Sequence, residues 1–204
     1  MHRIWNFVIT GGPCSGKTTG LEALEKYFSE KGFKVIMFPE TATQVIGSGI
    51  PFKETPALIF QECILDISLV REDATRKLAN CLSDYHDKDI IIFYDRGLMD
   101  GKAYVSSGFD EILTARAFTE KNVNERYDAV FHLVTAADGA VEYYTLSNNG
   151  ARTETPEEAR ELDAKTFDAW KGHKNLYRID NSTSFDEKIN RLINYVEKEI
   201  ERKK

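Results

Sequence analysis

Residues 11–18 of the chain read Gly-Gly-Pro-Cys-Ser-Gly-Lys-Thr, which matches the pattern G-x-x-x-x-G-K-[ST]. Glycine at positions 11 and 16 permits backbone angles and a close approach that a Cβ atom would block. Successive backbone N–H groups and the N-terminus of the following helix then point at phosphate oxygens. Lys17 adds a mobile positive charge, and the Thr18 hydroxyl is placed to bind Mg²⁺. The predicted phosphate-binding residues are Gly11, Gly12, Pro13, Cys14, Ser15, Gly16, Lys17, Thr18 and Thr19.

The segments on both sides of this loop supply the context that the pattern needs. Residues 4–10 are mostly apolar and predict a buried strand that ends at the glycines. Residues 16–31 predict a helix, because Leu21, Leu24 and Phe28 fall on one face. A phosphate loop requires a strand that runs into it and a helix that leaves it, so the context favours a genuine loop over a chance match.

Strands and helices alternate along the rest of the chain. Further strands are predicted at residues 34–38, 89–94, 129–134 and 175–179. Helix starts are predicted from Ser or Thr followed by Pro or acidic residues, at 55–56, 155–158 and 184–187. We expect Thr55 to cap a helix that runs to about residue 84 with a break in it, and residues 97–126 to be mostly helical. This alternation predicts an α/β fold with a five-stranded parallel sheet covered by helices on both faces, in one domain over residues 1–204.

Composition narrows the classes of protein that fit. The chain has 204 residues, 42% of them hydrophobic, and a net charge of −6, which argues against a broad basic surface for nucleic acid. No apolar run reaches the length of a membrane span, and the one before Gly11 is too short for a signal peptide. Three cysteines without a C-x-x-C pair predict neither a disulfide framework nor a zinc site. We therefore expect a cytoplasmic protein that has no membrane span and does not bind nucleic acid; the oligomeric state stays open.

Two carboxylates follow apolar strands, at Asp95 and Glu40. In an open α/β sheet, ligands bind beyond the carboxyl ends of the strands, so both side chains are expected beside the phosphate loop. Asp95 is a candidate Mg²⁺ ligand, directly or through water, and Arg96 is a candidate phosphate-binding group. Glu40 is a candidate to orient or deprotonate an attacking hydroxyl, or to help hold the metal. The alternative is that Asp95 and Glu40 only cap the helices that follow them.

Several stretches besides the loop carry a resemblance to a known group of proteins. They read Phe-Pro-Glu-Thr-Ala-Thr at 38–43, Phe-Gln-Glu at 60–62, Tyr-Asp-Arg-Gly at 94–97, His-Leu-Val-Thr-Ala-Ala-Asp-Gly-Ala at 132–140 and Arg-Thr-Glu-Thr-Pro-Glu-Glu-Ala-Arg at 152–160. With them the chain resembles P-loop ATPase and kinase-like domains of AAA type over nearly its whole length. Within that group it is most similar to the N-terminal domain of the transient-receptor-potential-like channel translocation-defect family, and more distantly to nicotinamide riboside kinases.

This resemblance implies a three-layer P-loop fold in which the strand order of the sheet is 2-3-1-4-5. It implies a purine nucleoside triphosphate, ATP or GTP, bound with Mg²⁺. It also implies a lid at about residues 138–160, in which Arg152 and Arg160 would close on the phosphates. The alternative for this stretch is a solvated helix of mixed charge. Contacts to the base are expected from the lid and from the loop near Asn181, and the choice between adenine and guanine stays open.

Similarity to small-molecule kinases further implies an acceptor pocket lined by the helix after Pro56. Gln61 and Arg71 lie on that helix, and Asp100 and Tyr104 follow the Asp-Arg pair. These four are the candidate acceptor-binding residues. The alternative for Gln61 and Arg71 is a surface face of a long helix.

Two functions of different class fit these features. The first is a Mg²⁺-dependent kinase-type phosphotransferase or NTPase that acts on a small hydroxyl acceptor. Its candidate catalytic residues are Lys17, Glu40, Asp95, Arg96, Arg152 and Arg160. The second is a regulatory module that GTP or ATP controls, with slow hydrolysis and a link to trafficking. The chain has no Asn-Lys-x-Asp motif, which argues against a Ras-type switch but not against guanine.

Overall fold

Five parallel strands form the centre of the computed structural model, which describes residues 2–140 and 155–202. The strands are β1 (Ile4–Thr10), β2 (Lys34–Phe38), β3 (Ile90–Asp95), β4 (Ala129–Leu133) and β5 (Leu176–Ile179). Their order is β2-β3-β1-β4-β5, which confirms the order that the resemblance implied. Phe7 of β1 is in register with Phe93 of β3 and Ala129 of β4. The glycines that follow β1 therefore lie at the middle of the sheet's carboxyl edge.

Helices cover both faces of this sheet. Those in the described residues are α1 (Lys17–Glu30), α2 (Thr41–Gly47), α3 (Ala57–His86), α4 (Phe109–Thr114), α5 (Glu120–Asn124), α6 (Pro156–Ala169) and α7 (Phe185–Arg202). Two short 3₁₀ helices lie at Phe52–Glu54 and Leu98–Tyr104. Although α3 has 30 residues, no helix in residues 2–140 or 155–202 is long and apolar enough to cross a membrane.

The alternation of side chains along β1 divides the core into two layers. Trp5, Phe7 and Ile9 pack with apolar residues of α1 and α7 on one face. Val8 packs on the other face, with residues of α3, the 3₁₀ helix at 98–104, and α4. Because the strand is buried on both faces, most of its residues are apolar, without the regular polar alternation of an exposed strand. The arrangement confirms the predicted three-layer α/β fold.

The start of α3 differs from the prediction. The helix begins at Ala57, and Thr55 donates its hydroxyl to Pro51 O at 3.1 Å instead of accepting from the first turn. The helix then continues to His86 without the expected break. Residues 97–126 are mostly helical, as predicted, and form three short elements: the 3₁₀ helix at 98–104 and the helices α4 and α5.

The start of α6 agrees with the prediction. Thr155 Oγ1 accepts from the N–H of Glu158 at 3.2 Å, and Glu158 Oε2 accepts from the N–H of Thr155 at 2.7 Å. These reciprocal bonds satisfy two donors of the first turn and fix where the helix begins. Of the expected lid at 138–160, residues 141–154 lie outside the described residues, so the position of Arg152 stays a prediction.

Candidate functional site

The loop after β1 has the geometry of an anion cradle. Gly11 has φ 142° and Gly16 has φ 88°, in the region that favours glycine. A Cβ atom at Gly11 would lie 2.0 Å from the carbonyl oxygen of Leu133, so no other residue fits there. At Gly16 a Cβ would lie 2.6 Å from the ring of Phe185. The two glycines thus allow the backbone to fold tightly against β4 and α7, with the first turn of α1 following directly.

Lys17 lies over this loop. Its Nζ donates to the carbonyl oxygens of Gly11 at 3.1 Å and Gly12 at 3.3 Å. Burial, and then the charge of Arg96, lower the pKa of Lys17 to about 8. Among the described residues, this buried lysine donates only to carbonyl groups, and the charges of nearby carboxylates offset its burial only in part. It therefore gains strongly from an anion, because a phosphate supplies opposite charge directly at Nζ.

Asp95 and Thr18 provide groups that fit a magnesium ion. Asp95 Oδ1 is buried and has no hydrogen-bond partner among the residues that the structure describes. Burial is the main cause that raises the pKa of Asp95 above its usual range. Thr18 is exposed in the first turn of α1 and lines the same cleft as Asp95. A hydroxyl and a carboxylate oxygen are ligands that Mg²⁺ takes together with phosphate oxygens and water, so these residues fit the ion.

Glu40 and Arg96 form an ion pair beside Asp95. Arg96 Nε lies 2.6 Å from Glu40 Oε1, and Arg96 has φ 66°, a left-handed conformation that is uncommon for arginine. Thr43 donates its hydroxyl to Glu40 Oε2 at 2.6 Å. Burial acts to raise the pKa of Glu40, but the charge of Arg96 and the bond from Thr43 hold it below its usual range. Glu40 is therefore ionised at neutral pH.

Asp100 holds Arg96 from the other side. Its Oδ1 lies 3.3 Å from Arg96 Nη1, and its Oδ2 accepts from the N–H of Gly97 at 2.8 Å and from Trp170 Nε1 at 3.2 Å. Thr10 also donates its hydroxyl to Oδ1. The carboxylate is buried with these donors around it. In the structure Asp100 therefore positions Arg96, while its predicted contact with an acceptor stays untested.

One cleft of about 1770 Å³ brings most of the predicted site residues together. It runs from the phosphate loop, past Glu40, Asp95 and Arg96, to α3 and the 3₁₀ helix at 98–104. The predicted site residues that line it are Pro13, Cys14, Ser15, Gly16, Lys17, Thr18, Thr19, Glu40, Gln61, Asp95, Arg96, Asp100, Tyr104 and Asn181. Residues far apart in sequence thus meet at the carboxyl edge of the sheet, as the α/β topology predicts.

Two predicted arginines lie outside the lining of this cleft. Arg71 donates to Thr41 Oγ1 at 2.9 Å, and its guanidinium lies 4.5 Å from the centre of the Phe38 ring. Arg160 donates to the carbonyl oxygen of Ala137 at 2.9 Å and to Glu157 at 2.7 Å. Both therefore support the walls of the site in this structure. Their predicted contacts with acceptor and phosphates stay predictions.

Comparison with known families agrees with this geometry. A family model described as an AAA domain matches residues 6–188, which include the loop, all five strands except the first two residues of β1, and all the residues that line the cleft. The chain belongs to this family. No curated protein matches the chain. Membership indicates a nucleotide-binding P-loop domain of the class that binds its nucleotide with Mg²⁺, and the nearer resemblances to the translocation-defect family and to riboside kinases stay predictions.

The AAA domain fixes its phosphate loop with a residue that sequence reasoning missed. Asp163 of α6 is buried, and its Oδ1 accepts from the N–H groups of Gly12 at 2.8 Å and Thr135 at 3.0 Å. Its Oδ2 lies 3.1 Å from Nε2 of the buried His132. Burial acts to raise the pKa of Asp163, but His132 and the two N–H groups hold it below its usual range. One carboxylate thus joins the loop, the segment that follows β4, and α6.

Lys188 is a second buried, charged residue that holds the phosphate loop and was not predicted from the sequence. Its buried Nζ donates to the carbonyl oxygens of Ser15 at 3.0 Å and Val134 at 2.7 Å, and to Asn181 Oδ1 at 2.7 Å. The amide nitrogen of Asn181 in turn donates to Thr135 O at 2.8 Å and Asp138 O at 2.6 Å. Asn181 therefore shapes the cleft beside the loop, and its predicted contact with the base stays untested.

The low pKa of Lys17 predicts how phosphate binding depends on pH. Above a pH of about 8, Lys17 of the ligand-free AAA domain is neutral, and binding in the charged form requires uptake of one proton. Affinity for a triphosphate should therefore fall as the pH rises through 8, by up to about tenfold per pH unit. Calorimetric titration of the wild type and of Lys17→Arg over this range checks it. The arginine variant stays charged and should lack the dependence, and a wild-type affinity that is constant above pH 8 would contradict the prediction.

Proposed function

We propose that the chain is a Mg²⁺-dependent phosphotransferase that moves the terminal phosphoryl group of ATP or GTP to a hydroxyl of a small molecule. The observation that carries this proposal is the extent of the cleft. It continues beyond the phosphate loop to α3, and the carboxylates of Glu40 and Asp95 lie between the two ends. A protein that only binds a nucleotide does not need a cleft that continues beyond its phosphate loop to α3.

The residues support one division of roles. Backbone N–H groups of the loop and Lys17 hold the phosphates, and the lid arginines Arg152 and Arg160 stabilise charge on the transferred group. Mg²⁺, held by Thr18 and Asp95, would supply further positive charge at the phosphates. Glu40, fixed by Arg96, orients the acceptor hydroxyl.

The transfer forms one bond to the γ-phosphorus and breaks another. The acceptor oxygen bonds to the γ-phosphorus, the bond from that phosphorus to the β–γ bridging oxygen breaks, and the nucleoside diphosphate leaves. The hydroxyl proton passes to a carboxylate oxygen of Glu40. Because Glu40 is ionised, it can accept this proton, and a loose transition state requires little removal of the proton before the phosphorus moves.

A transfer screen tests this proposal against the regulatory module. The full chain is incubated with Mg²⁺, γ-labelled ATP or GTP, and a panel of small hydroxyl compounds. A labelled product supports the phosphotransferase. Slow release of free phosphate with every acceptor would contradict it and favour the module that a nucleotide controls. A cytoplasmic, reducing location belongs to the same proposal.

Asp95→Asn separates metal-dependent chemistry from phosphate binding. The amide keeps the shape of the side chain but removes the charge that would attract Mg²⁺, so transfer or hydrolysis should fall about 100-fold or more. Affinity for the triphosphate without Mg²⁺ should stay the same or rise, because one negative charge leaves the cleft. Steady-state rates and titrations with and without Mg²⁺ measure both effects. The control is Asp89→Asn, immediately before β3, and equal rates in the two variants would contradict the role of Asp95.

A further inference from the structure

The far end of the cleft, which is bordered by α3, α4 and the two 3₁₀ helices, has a largely apolar lining. The large hydrophobic side chains that these elements contribute to it are Phe52, Phe60, Ile64, Leu65, Leu98 and Phe109. The ring centres of Phe52 and Phe60 are 6.0 Å apart, so the two rings are neighbours in this lining. We call this part of the cleft the apolar end. An apolar ligand that covers it is stabilised in proportion to the area removed from water.

The carboxylates at the apolar end are already bonded within the protein. Glu72 is 1% exposed and accepts from the hydroxyl of Tyr127 at 2.6 Å and from Arg76 Nη2 at 3.1 Å. Asp100 is also buried and accepts from backbone and side-chain donors that surround it. These carboxylates therefore have little remaining capacity to bind a cationic or hydroxyl-rich acceptor.

Positive charge at the apolar end is likewise exposed or paired. In the described parts of the chain, the cationic side chains that line it are Lys53 and Arg96. Lys53 is exposed, and a lysine of this kind keeps its ammonium group in water. Arg96 pairs with Glu40 at 2.6 Å and with Asp100 at 3.3 Å. An anionic acceptor would thus have to compete with these carboxylates for Arg96, which favours an acceptor whose body is uncharged.

The size of the cleft allows this body to be large. The whole cleft has a volume of about 1770 Å³. Pockets for a single small ligand usually measure about 300–1,000 Å³. Because the phosphate loop lies at one end and the apolar lining at the other, a second bulky ligand fits beside a nucleotide without sharing its space.

Apolar side chains continue from the apolar end onto the outer surface. Ile50 is 45% exposed, Leu58 37% and Ile59 49%. They belong to the same stretch of chain as Phe52 and Phe60, which line the cleft. Exposed apolar groups next to a binding cleft mark a surface that a ligand covers. A long apolar body would therefore still meet hydrophobic contacts where it leaves the cleft.

We propose that the acceptor is an amphipathic alcohol, with one hydroxyl at the end of a long, uncharged hydrocarbon body. The hydroxyl would lie beside Glu40, and the hydrocarbon would extend along the apolar end past Phe60 toward Ile50. This inference rests on the proposed phosphotransferase function and names its substrate class. The products are the phosphate monoester of the alcohol and the nucleoside diphosphate, with the hydroxyl proton on Glu40.

A series of alcohols of increasing length tests this substrate class without relying on turnover. The full chain, with Mg²⁺ and a non-hydrolysable triphosphate analogue bound, is titrated with the primary alcohols butanol, hexanol, octanol and decanol, and with glycerol and ribose. Affinity should rise about three- to fourfold for each added CH₂ group, because each buried CH₂ contributes a similar free energy. Glycerol and ribose lack the hydrocarbon body and should bind more weakly than every alcohol of the series.

Substitutions in the lining locate the binding site. Ile64→Gln places a polar group in the apolar end and should weaken octanol binding about tenfold. The matched control is Ile67→Gln, the same change on α3 at an exposed position outside the cleft lining, which should bind octanol as the wild type does. Phe52→Gln changes the apolar end from a different element and should also weaken octanol binding. Thermal unfolding of each variant shows that the fold is kept.

The outcomes separate the two proposals. If the analogue binds but affinity does not rise with length, or if Ile64→Gln and Phe52→Gln both bind octanol as Ile67→Gln does, the substrate class is wrong and the phosphotransferase proposal stands. If the alcohols bind as expected but labelled triphosphate gives only free phosphate in their presence, the apolar site is confirmed and the phosphotransferase proposal fails. If the analogue itself does not bind, the proposed function fails.

Discussion

Lys17→Ala weakens binding of ATP and GTP with Mg²⁺ by about 100- to 1,000-fold while the fold stays intact. The lysine supplies charge-assisted hydrogen bonds to phosphate oxygens, each worth about 1.5–3 kcal/mol, and 1.4 kcal/mol corresponds to tenfold in affinity. The ligand-free fold gains little from this charge, because burial already disfavours the charged form of Lys17. Titration calorimetry measures the affinity, and thermal unfolding measures the stability.

The matched control for this variant is Lys26→Ala. Lys26 is exposed on the same helix, α1, so the substitution removes the same charge without touching the loop. Its affinity for both nucleotides should equal that of the wild type. A Lys17→Ala protein that binds as tightly as Lys26→Ala would show that the loop after β1 is not the phosphate site.

Asp163→Ala should lower both stability and nucleotide affinity. Removing the carboxylate leaves the N–H groups of Gly12 and Thr135 without acceptors and leaves His132 without its neighbour. Unpaired buried donors cost about 1–3 kcal/mol each, so we expect a loss of about 3 kcal/mol and a fall in Tm of about 6–12 °C. The loop loses its tie to α6, so triphosphate affinity should fall about tenfold as well.

Two further variants test whether the losses in Asp163→Ala come from the buried carboxylate itself. Asp168→Ala changes an exposed carboxylate of the same helix, which pairs with Lys171 at 2.6 Å, and should alter Tm by less than about 2 °C. Asp163→Asn keeps an oxygen for the two N–H groups but removes the charge beside His132, and should lie between the wild type and Asp163→Ala. If Asp163→Ala behaves as Asp168→Ala does, the carboxylate does not hold the loop.

Local patterns in the sequence predicted the elements that carry the phosphate loop. Apolar runs gave the five strands, and Ser or Thr before acidic residues placed the starts of α6 and α7. These signals depend on near neighbours in the chain, so they can be interpreted without the tertiary structure. The start of α3 was misplaced by one residue, because Pro56 rather than Thr55 is the residue that precedes the first helical turn.

The contacts that Asp163 and Lys188 make with the phosphate loop could not be predicted from local patterns. The sequence nevertheless contained one indication that these two residues are unusual. Asp163 contacts Gly12 across 151 positions, and Lys188 contacts Ser15 across 173. Both side chains lie on the apolar faces of their helices, Asp163 four residues after Ala159 and Lys188 four residues before Leu192. A charged residue on a buried face needs a polar partner, which is the observation that could have singled them out. Which partner it meets depends on strand order and on the path of the loop.

A crystal structure with Mg²⁺ and a non-hydrolysable ATP or GTP analogue tests the central claim most directly. We expect the phosphates in the loop at residues 11–18, within hydrogen-bond distance of its N–H groups, with Lys17 Nζ turned from Gly11 and Gly12 toward phosphate oxygens. Phosphates bound elsewhere, with Lys17 still on the two carbonyl groups of an empty loop, would contradict the account.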